Sequence, residues 1–474
     1  MSAAGRPFAR VARLGIAVMA VMAVLCALAA LAAFGAPGGG WPRLVQAIGA
    51  GSAAPPRDVI LISIDTLRAD HLGCYGYSFP TTPNLDRFSQ DAVRFAQNIA
   101  AAPATLISHA SMMTSLLPGQ HGANFLLHHA LAPRFLTLAG IFHRHGYGTA
   151  SWNDGGQITA ALGMANGFDL YHSSPPSSMY QFDFHFADVV ARATGWLAAH
   201  PPSGAPAFLF LHSYEVHHPY TPAARFREIM EPRPYQGPLP VGETDMKTLL
   251  ALRAGRLHIG PRDVRHIVAT YDGEIRSMDE AFGRLIEFLK QTGRYDQALI
   301  VFTSDHGEEF NEHGAVGWHA HTLYDELLRV PLLIKFPNGL YAGETVTSQV
   351  REIDIAPTMI AAMGWPQPTQ FRGADLTPLA EGRAAAPRFA VSQMESLADT
   401  SLRLAPWKLY DGRLYDLAGD PGETRDLAAR HRDLAAALGG RLKALLAEQP
   451  AAAGPSVALS VEERSRLRAL GYLP

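Results

Sequence analysis

DVILISIDTLRADHLGCYG, residues 58–76, begins with Val59, Ile60, Leu61, Ile62 and Ile64 in a short apolar, largely β-branched run. At this length the run predicts a strand buried on both faces, as the strands of a parallel sheet are. Asp65 closes it, and open α/β sheets place ligands at the carboxyl ends of their strands. About forty residues later comes APATLISHASMMTSLLPGQHG, residues 102–122. It reads as a loop entering a helix, with the Thr105 hydroxyl near its start and Ser108, His109 and Ser111 following. A helix start carries unpaired N–H groups and the positive end of the dipole, so a hydroxyl there lies beside an anion site.

Far downstream ALIVFTSDHGEE, residues 298–309, gives a second buried strand, ending in Asp305, His306 and Gly307. Taken singly, Asp65, Asp305 and His306 are ordinary residues for capping or turning a strand end. Two carboxylates and an imidazole at strand ends, with a hydroxyl on a nearby loop, also make an O/N shell for a metal ion.

Around these segments apolar strands alternate with helical patterns, which predicts an α/β sandwich with a mixed, mainly parallel sheet between helices. Asn84–Phe95, with Leu85, Phe88, Ala92 and Phe95 at helical spacing, predicts a helix, as do residues 134–146. Residues 147–152 and 207–214 predict strands. Residues 222–261 read as an irregular insertion whose Arg225, Arg227, Arg253 and Arg256 are placed to meet an anionic substrate. The helix after it has Tyr271, Ile275, Met278, Phe282, Leu285 and Leu289 on one face, with Asp272, Glu274, Arg276 and Asp279 assigned to its wetter side. Residues 386–474 read as a small C-terminal α+β subdomain of short antiparallel strands and a leucine-lined helix.

At the other end Arg6, Arg10 and Arg13 precede an apolar run from Leu14 to Ala36. The run can span a bilayer, and the basic flank keeps the N-terminus in the cytoplasm. The organisation expected is a basic cytoplasmic segment (1–13), a transmembrane anchor or, as the alternative, a signal peptide (14–36), a linker (37–56), a catalytic domain (57–385) and the subdomain (386–474), everything after the anchor lying outside the cytoplasm. Cys26 and Cys74, one in the apolar run and one beyond it, give no internal disulfide framework. A net charge of −3 with no basic block argues against nucleic acid as a partner.

The ordered set of motifs resembles the sulfatase family of the alkaline phosphatase superfamily over nearly all of the chain beyond residue 57. Asp65 with ADHLGCYGY matches the opening metal segment, and SDHGEEFNEHG and HTLYDELLRVPLLIKFP match the second metal segment and the strand after it. IDIAPTMIAAMG, PWKLYDG, RLYDLAGDPGETRDL and LRALGYLP match C-terminal landmarks. The family nucleophile segment has the form Cys/Ser-x-Pro-x-Arg; here TLISH puts Thr105 at the nucleophile, Ile107 at the proline and His109 at the arginine. The resemblance implies a divalent ion, Mn, Zn, Ca or Mg, on Asp65, Thr105, Asp305 and His306. It further implies His217, in EVHHPY, facing the attacking or departing oxygen, and a substrate or second-metal histidine at His319 or His321, of which His321, directly before TLYDELLRVP, is favoured.

Sulfatases proper convert the active-site Cys or Ser to formylglycine. Thr105 is neither, so no formylglycine is expected. Superfamily branches that use threonine as it stands act on phosphorus: phosphoethanolamine and glycerol-phosphate transferases and nucleotide pyrophosphatase/phosphodiesterases. The expected function is therefore a membrane-anchored, metal-dependent hydrolase with an unmodified Thr nucleophile. It would act on phosphodiester or phosphonate esters or transfer a phosphoryl group, with a small-molecule, lipid or glycan ester as substrate. A sulfuric ester hydrolase and a catalytically silent, membrane-tethered binding protein are the alternatives.

Overall fold

In the computed structural model β1 (Asp58–Ile64) is buried at every residue. Val59 and Leu61 enter one apolar core while Ile60, Ile62 and Ile64 enter the other, on the opposite face of the sheet. The two-residue period of a strand thus divides one continuous apolar run between two layers. The structure describes residues 58–173, 185–200, 204–233, 235–448, 454–458, 461 and 464. The basic segment, the anchor at 14–36, the linker and the final LRALGYLP lie outside the described residues. Among those described, no helix is long and apolar enough to cross a membrane.

The strands that follow are β2 (Val93–Ile99), β3 (Gly148–Asn153), β4 (Leu170–Ser173), β5 (Ala207–Ser213), β6 (Leu299–Thr303), the hairpin β7 (Glu309–Phe310) and β8 (Val316–Trp318), β9 (Arg329–Val330), β10 (Leu332–Lys335) and β11 (Thr345–Arg351). The central sheet runs β11-β2-β10-β6-β1-β5-β3-β4, with β9 on β2. β1 is parallel to both β5 and β6, and β10 enters antiparallel between β6 and β2, so the sheet is mixed and mainly parallel as expected. The register pairs Ser63 with Thr303. Carried two residues on, it sets Asp65 opposite Asp305.

One face of the sheet is covered by α1 (Thr105–Thr114), a short helix at Leu138–Arg144 and α2 (Ile355–Ala362). Phe186–Ala199 and the 31-residue Pro261–Gln291 cover the other. All ten residues of α1 are buried, so the Thr105 helix is a core element rather than a surface one. A four-stranded antiparallel sheet follows, β12 (Ala390–Gln393), β13 (Thr400–Leu404), β14 (Trp407–Tyr410) and β15 (Arg413–Asp416), with the helix Arg432–Ala447 packed on it. Its first strand is laced to the segment leading into Thr105: Ser392 Oγ donates to the Ala100 carbonyl (2.7 Å) and Gln393 N to the Ala101 carbonyl (2.9 Å).

Three expectations are corrected. The helix predicted over Asn84–Phe95 ends at Phe88, and Val93–Ile99 is a strand; the turn through Ser89, Gln90 and Asp91 breaks a spacing that was coincidental. The 222–261 stretch is not irregular throughout, since it contains helices at Ala224–Met230 and Met246–Arg253. Asp272, Glu274 and Asp279 are buried. Asp272 bonds His71 Nδ1 and Tyr77, Glu274 accepts the Thr221 N–H and Asp279 accepts those of Asn84 and Leu85, because loops close over the helix face that its polarity pattern assigns to solvent.

Candidate active site and metal centre

Three strand ends and one helix start converge. Thr105 Oγ1 donates to Asp65 Oδ2 at 3.2 Å and lies 3.4 Å from His306 Nε2. His306 Nε2 is 3.7 Å from Asp65 Oδ1 and 3.5 Å from Asp305 Oδ2. Ligand atoms of Asp65, Asp305 and His306 lie within 4.8 Å of one another, and all three residues are fully buried, as is Thr105. The helix start is held by Gln157, whose Oε1 accepts the Leu106 N–H at 3.1 Å. Ser108 ties it to the strand end by donating to the Asp305 carbonyl (2.7 Å).

The charge balance of this cluster bears on a metal. Burial raises the Asp65 carboxyl from 3.8 to about 6 and raises Asp305 as well, Asp65 adding to the latter. Burial opposes protonation of His306, but Asp305 and Asp65 outweigh it and hold its pKa above the ordinary value. Asp65 Oδ1 and Asp305 Oδ2 are buried with no hydrogen-bond partner among the described residues. Two adjacent buried carboxylates, each with an orphaned oxygen aimed at a shared imidazole, are costly by themselves and fit a divalent cation.

His109 lies one turn along α1, fully buried, and does not present a free ring. Its Nδ1 donates to the Thr105 carbonyl (2.9 Å), and its Nε2 meets Ser63 Oγ at 3.0 Å. Burial pushes its pKa down to about 4. The ring is therefore neutral at ordinary pH, where the resemblance implied a guanidinium. Beside it stands a residue that the sequence reading passed over, His212 at the end of β5, with Nε2 3.5 Å from Asp65 Oδ2 and a pKa lowered by burial to about 4. A polar residue closing the apolar run Ala207–Leu211 was the available signal.

Ligand atoms of His109, His212 and Asp305 also lie within 4.8 Å of one another, sharing Asp305 with the first group, and a separate group joins His217, His218 and His319, all buried, at the same spacing. Glu308 orients two of them, accepting from His218 Nδ1 (3.2 Å) and His319 Nδ1 (3.0 Å) as well as from the Tyr220 hydroxyl (2.9 Å). His217 Nδ1 donates to the His218 carbonyl at 2.6 Å. Among the described residues His218 Nε2 is buried without a hydrogen-bond partner, and an imidazole that donates through Nδ1 offers its Nε2 lone pair as a ligand for a cation. The His319 ring centroid is 4.6 Å from that of His306 and 5.0 Å from that of His217. His321, favoured from sequence, is not brought into either group: its Nε2 is bound to Glu309 Oε2 at 2.7 Å. Ala320, in the left-handed region at φ 57°, turns the chain between the two histidines. Glu215 accepts the Phe186 N–H at 2.8 Å and belongs to neither group. Lys335, on the sheet, is buried on the carbonyls of Asp296 and Ala298.

The sulfatase family signature matches residues 57–365. The chain is 27% identical over 409 residues to the multifunctional alkaline phosphatase superfamily protein PehA of Trinickia caryophylli, covering 69% of this chain and 78% of that protein. It is 26% identical over 345 residues to an ulvan-active sulfatase of Formosa agariphila, covering 68% and 64% of the two. Among solved structures, the phosphonate monoester hydrolase of Agrobacterium radiobacter superposes with a TM-score of 0.61 at 22% identity, over 83% of this chain and 95% of that one. A protein solved in complex with its substrate D-glucosamine-2-N,6-O-disulfate superposes with a TM-score of 0.68 at 21% identity, over 83% and 98%. At these identities the structural likeness establishes the fold.

Proposed function

Because the chain belongs to the sulfatase family of alkaline phosphatase superfamily hydrolases, we propose that it cleaves phosphodiester or phosphonate esters, or passes the phosphoryl group to an acceptor, with the unmodified Thr105 hydroxyl as nucleophile. The observation that carries this reading is the position of Thr105 Oγ1, on the first turn of a buried helix, between Asp65 Oδ2 at 3.2 Å and His306 Nε2 at 3.4 Å. Divalent cations held by Asp65, Asp305, His306 and the Thr105 oxygen at one position, and by His217, His218 and His319 at the other, would supply charge neutralisation and a lowered hydroxyl pKa.

The residues themselves do the rest. Asp65 accepts the hydrogen bond of the Thr105 hydroxyl and fixes its direction. Its carboxylate takes the proton as the Oγ1–P bond forms and the ester P–O bond breaks. His109, bonded to the Thr105 carbonyl, and Gln157, bonded to the Leu106 N–H, hold that first turn in place. Water or an acceptor hydroxyl then attacks the phosphothreonine, returning Thr105 and releasing the phosphoryl group. The similarity to a relative named multifunctional supports breadth of ester class, and the similarity to an ulvan-active sulfatase makes sulfate esters the competing reading.

The test is turnover of aryl phosphodiester, phosphonate monoester and sulfate ester by the cation-loaded protein and by Thr105→Ala. The expected outcome is preference for a phosphorus ester, loss of at least a thousandfold in the variant, and a phosphothreonine adduct at residue 105 detectable by mass spectrometry. Undiminished turnover in Thr105→Ala removes the nucleophile, and preference for the sulfate ester removes the substrate class. The basic flank and the apolar run at 14–36 support tethering of the domain to a membrane, outside the cytoplasm.

A further inference from the structure

Glu352 opens the turn Glu352–Asp354 that leads from β11 into α2, and it is fully buried. That one turn holds α1 at both ends. Just past its far end, the Ser115 hydroxyl donates to the Ile353 carbonyl at 2.7 Å. Near its start, Glu352 Oε2 accepts the Ala101 N–H at 2.8 Å, in the segment leading into Thr105, and Oε1 lies 2.5 Å from Ser108 Oγ. Ser108 Oγ is also 2.7 Å from the Asp305 carbonyl. The two acids of the turn differ in their company. Asp354 is paired with Arg351 at 2.6 Å, whereas among the described residues no lysine, arginine or histidine pairs with Glu352.

Proton counting fixes the state of the Glu352 carboxyl. A serine hydroxyl carries one proton and a peptide carbonyl carries none. Ser108 stands between two oxygens at hydrogen-bond distance, and its proton serves only one of them. The Asp305 carbonyl can only accept, so Ser108 donates to it, and the contact with Glu352 takes its proton from the carboxyl. Burial favours the same state, raising the Glu352 carboxyl well above the ordinary carboxylate range, with Asp305 adding to it.

Resting on the reading of Thr105 as an ester nucleophile, we infer that Glu352 is a positioning residue that works as a neutral carboxylic acid, donating to Ser108 and accepting from Ala101 so that the start of α1 is tied to the Asp305 strand end. Ala101 and Ser108 flank Thr105 in the chain. Loss of the clamp therefore moves the Thr105 hydroxyl relative to Asp65 and His306 without removing any group that touches it. An ionised Glu352 would be a buried charge with no cation, and it would leave Ser108 one proton for two acceptors.

The experiment compares Glu352→Gln with Glu352→Ala in the full chain. A glutamine amide keeps both bonds, its N–H donating to Ser108 and its oxygen accepting from Ala101. Cation-loaded Glu352→Gln should turn over an aryl phosphodiester within about threefold of the unmodified kcat, whereas Glu352→Ala should lose about a hundredfold in kcat with little change in KM. The second readout is the infrared difference spectrum at pH 7.5, unmodified protein minus Glu352→Gln. It should contain the C=O stretch of a carboxylic acid and no carboxylate bands. Carboxylate bands in that difference, or a Glu352→Gln protein as impaired as Glu352→Ala, overturn the inference. If Glu352→Ala does not fold, the glutamine variant and the spectrum decide it by themselves. The spectrum requires no turnover, so a failure of the Thr105 reading appears separately, as insensitivity of ester cleavage to Thr105→Ala.

Discussion

Replacing Asp65 by Asn separates the stability of this site from its function. In the cation-free protein, burial lifts the Asp65 carboxyl from 3.8 to about 6. Between those two pH values the folded state holds a proton that the unfolded chain has released, so stability falls as pH rises through that window. At 1.36 kcal/mol per pH unit the loss reaches about 3 kcal/mol above pH 7. Asn cannot ionise, and its side-chain oxygen can still accept from Thr105 Oγ1, so Asp65→Asn escapes the loss. With about 2.1 cal/mol/K of unfolding entropy per residue over roughly 400 ordered residues, 3 kcal/mol corresponds to a rise in Tm of about 4 °C. Scanning calorimetry in chelator should therefore find the variant equal to the unmodified protein near pH 4 and about 4 °C higher at pH 7.5. Mn²⁺ or Zn²⁺ at a thousand times its Kd should reverse the order, because it adds about 4.1 kcal/mol to the protein that binds it, more than the deficit of about 3 kcal/mol, while the variant, with one ligand charge gone, gains less and turns over no ester. An Asp65→Asn protein that melts below the unmodified one at pH 7.5 in chelator, or a difference that does not grow between pH 4 and 7, would refute the argument that the carboxylate is held there at a cost.

Two further outcomes follow from the histidine geometry and from the N-terminus. His319→Ala should cut turnover at least tenfold and lower the bound-cation count measured by atomic emission, whereas His321→Ala should keep the count; equal losses in both would dissolve the distinction drawn between them. Deleting residues 1–36 should move the protein from the membrane pellet to the soluble fraction with ester turnover retained, and a deletion protein that still pellets with membranes would remove the anchor.

The convergence of Asp65 and Asp305 was legible because it depends on strand ends. β1 and β6 announce themselves as apolar runs, and neighbouring parallel strands bring their carboxyl ends to one edge, so Asp65 and Asp305 had to be near one another if the strands were neighbours. What was not legible depends on surfaces that meet from distant parts of the chain. The polarity of Asp272 and Asp279 reads as exposure on a helical wheel, yet the segment carrying His71, Tyr77 and Asn84 covers that face and supplies its partners. His319 and His321, two residues apart, would share a face in a regular strand; the left-handed Ala320 between them sends one to Glu308 and the other to Glu309.

His109 shows how a matched position can change its chemistry. The resemblance put it where the family pattern has an arginine, which implies a fixed positive charge beside the nucleophile. Burial pushes the ring down to about 4, and its two nitrogens are taken by the Thr105 carbonyl and the Ser63 hydroxyl, so it holds the helix start without contributing charge at neutral pH. His212, also lowered by burial to about 4, cannot replace that charge. On the mechanism proposed above, negative charge gathering on a phosphoryl group at Thr105 would then be met by the His306 imidazole, by the N–H groups at the start of α1 and by any cations held at the buried ligand groups. If the proposed cations are bound, a site with His109 in place of the guanidinium would lean more heavily on them, and the oxygens of Asp65 and Asp305 that find no partner among the described residues lie where such a cation would sit.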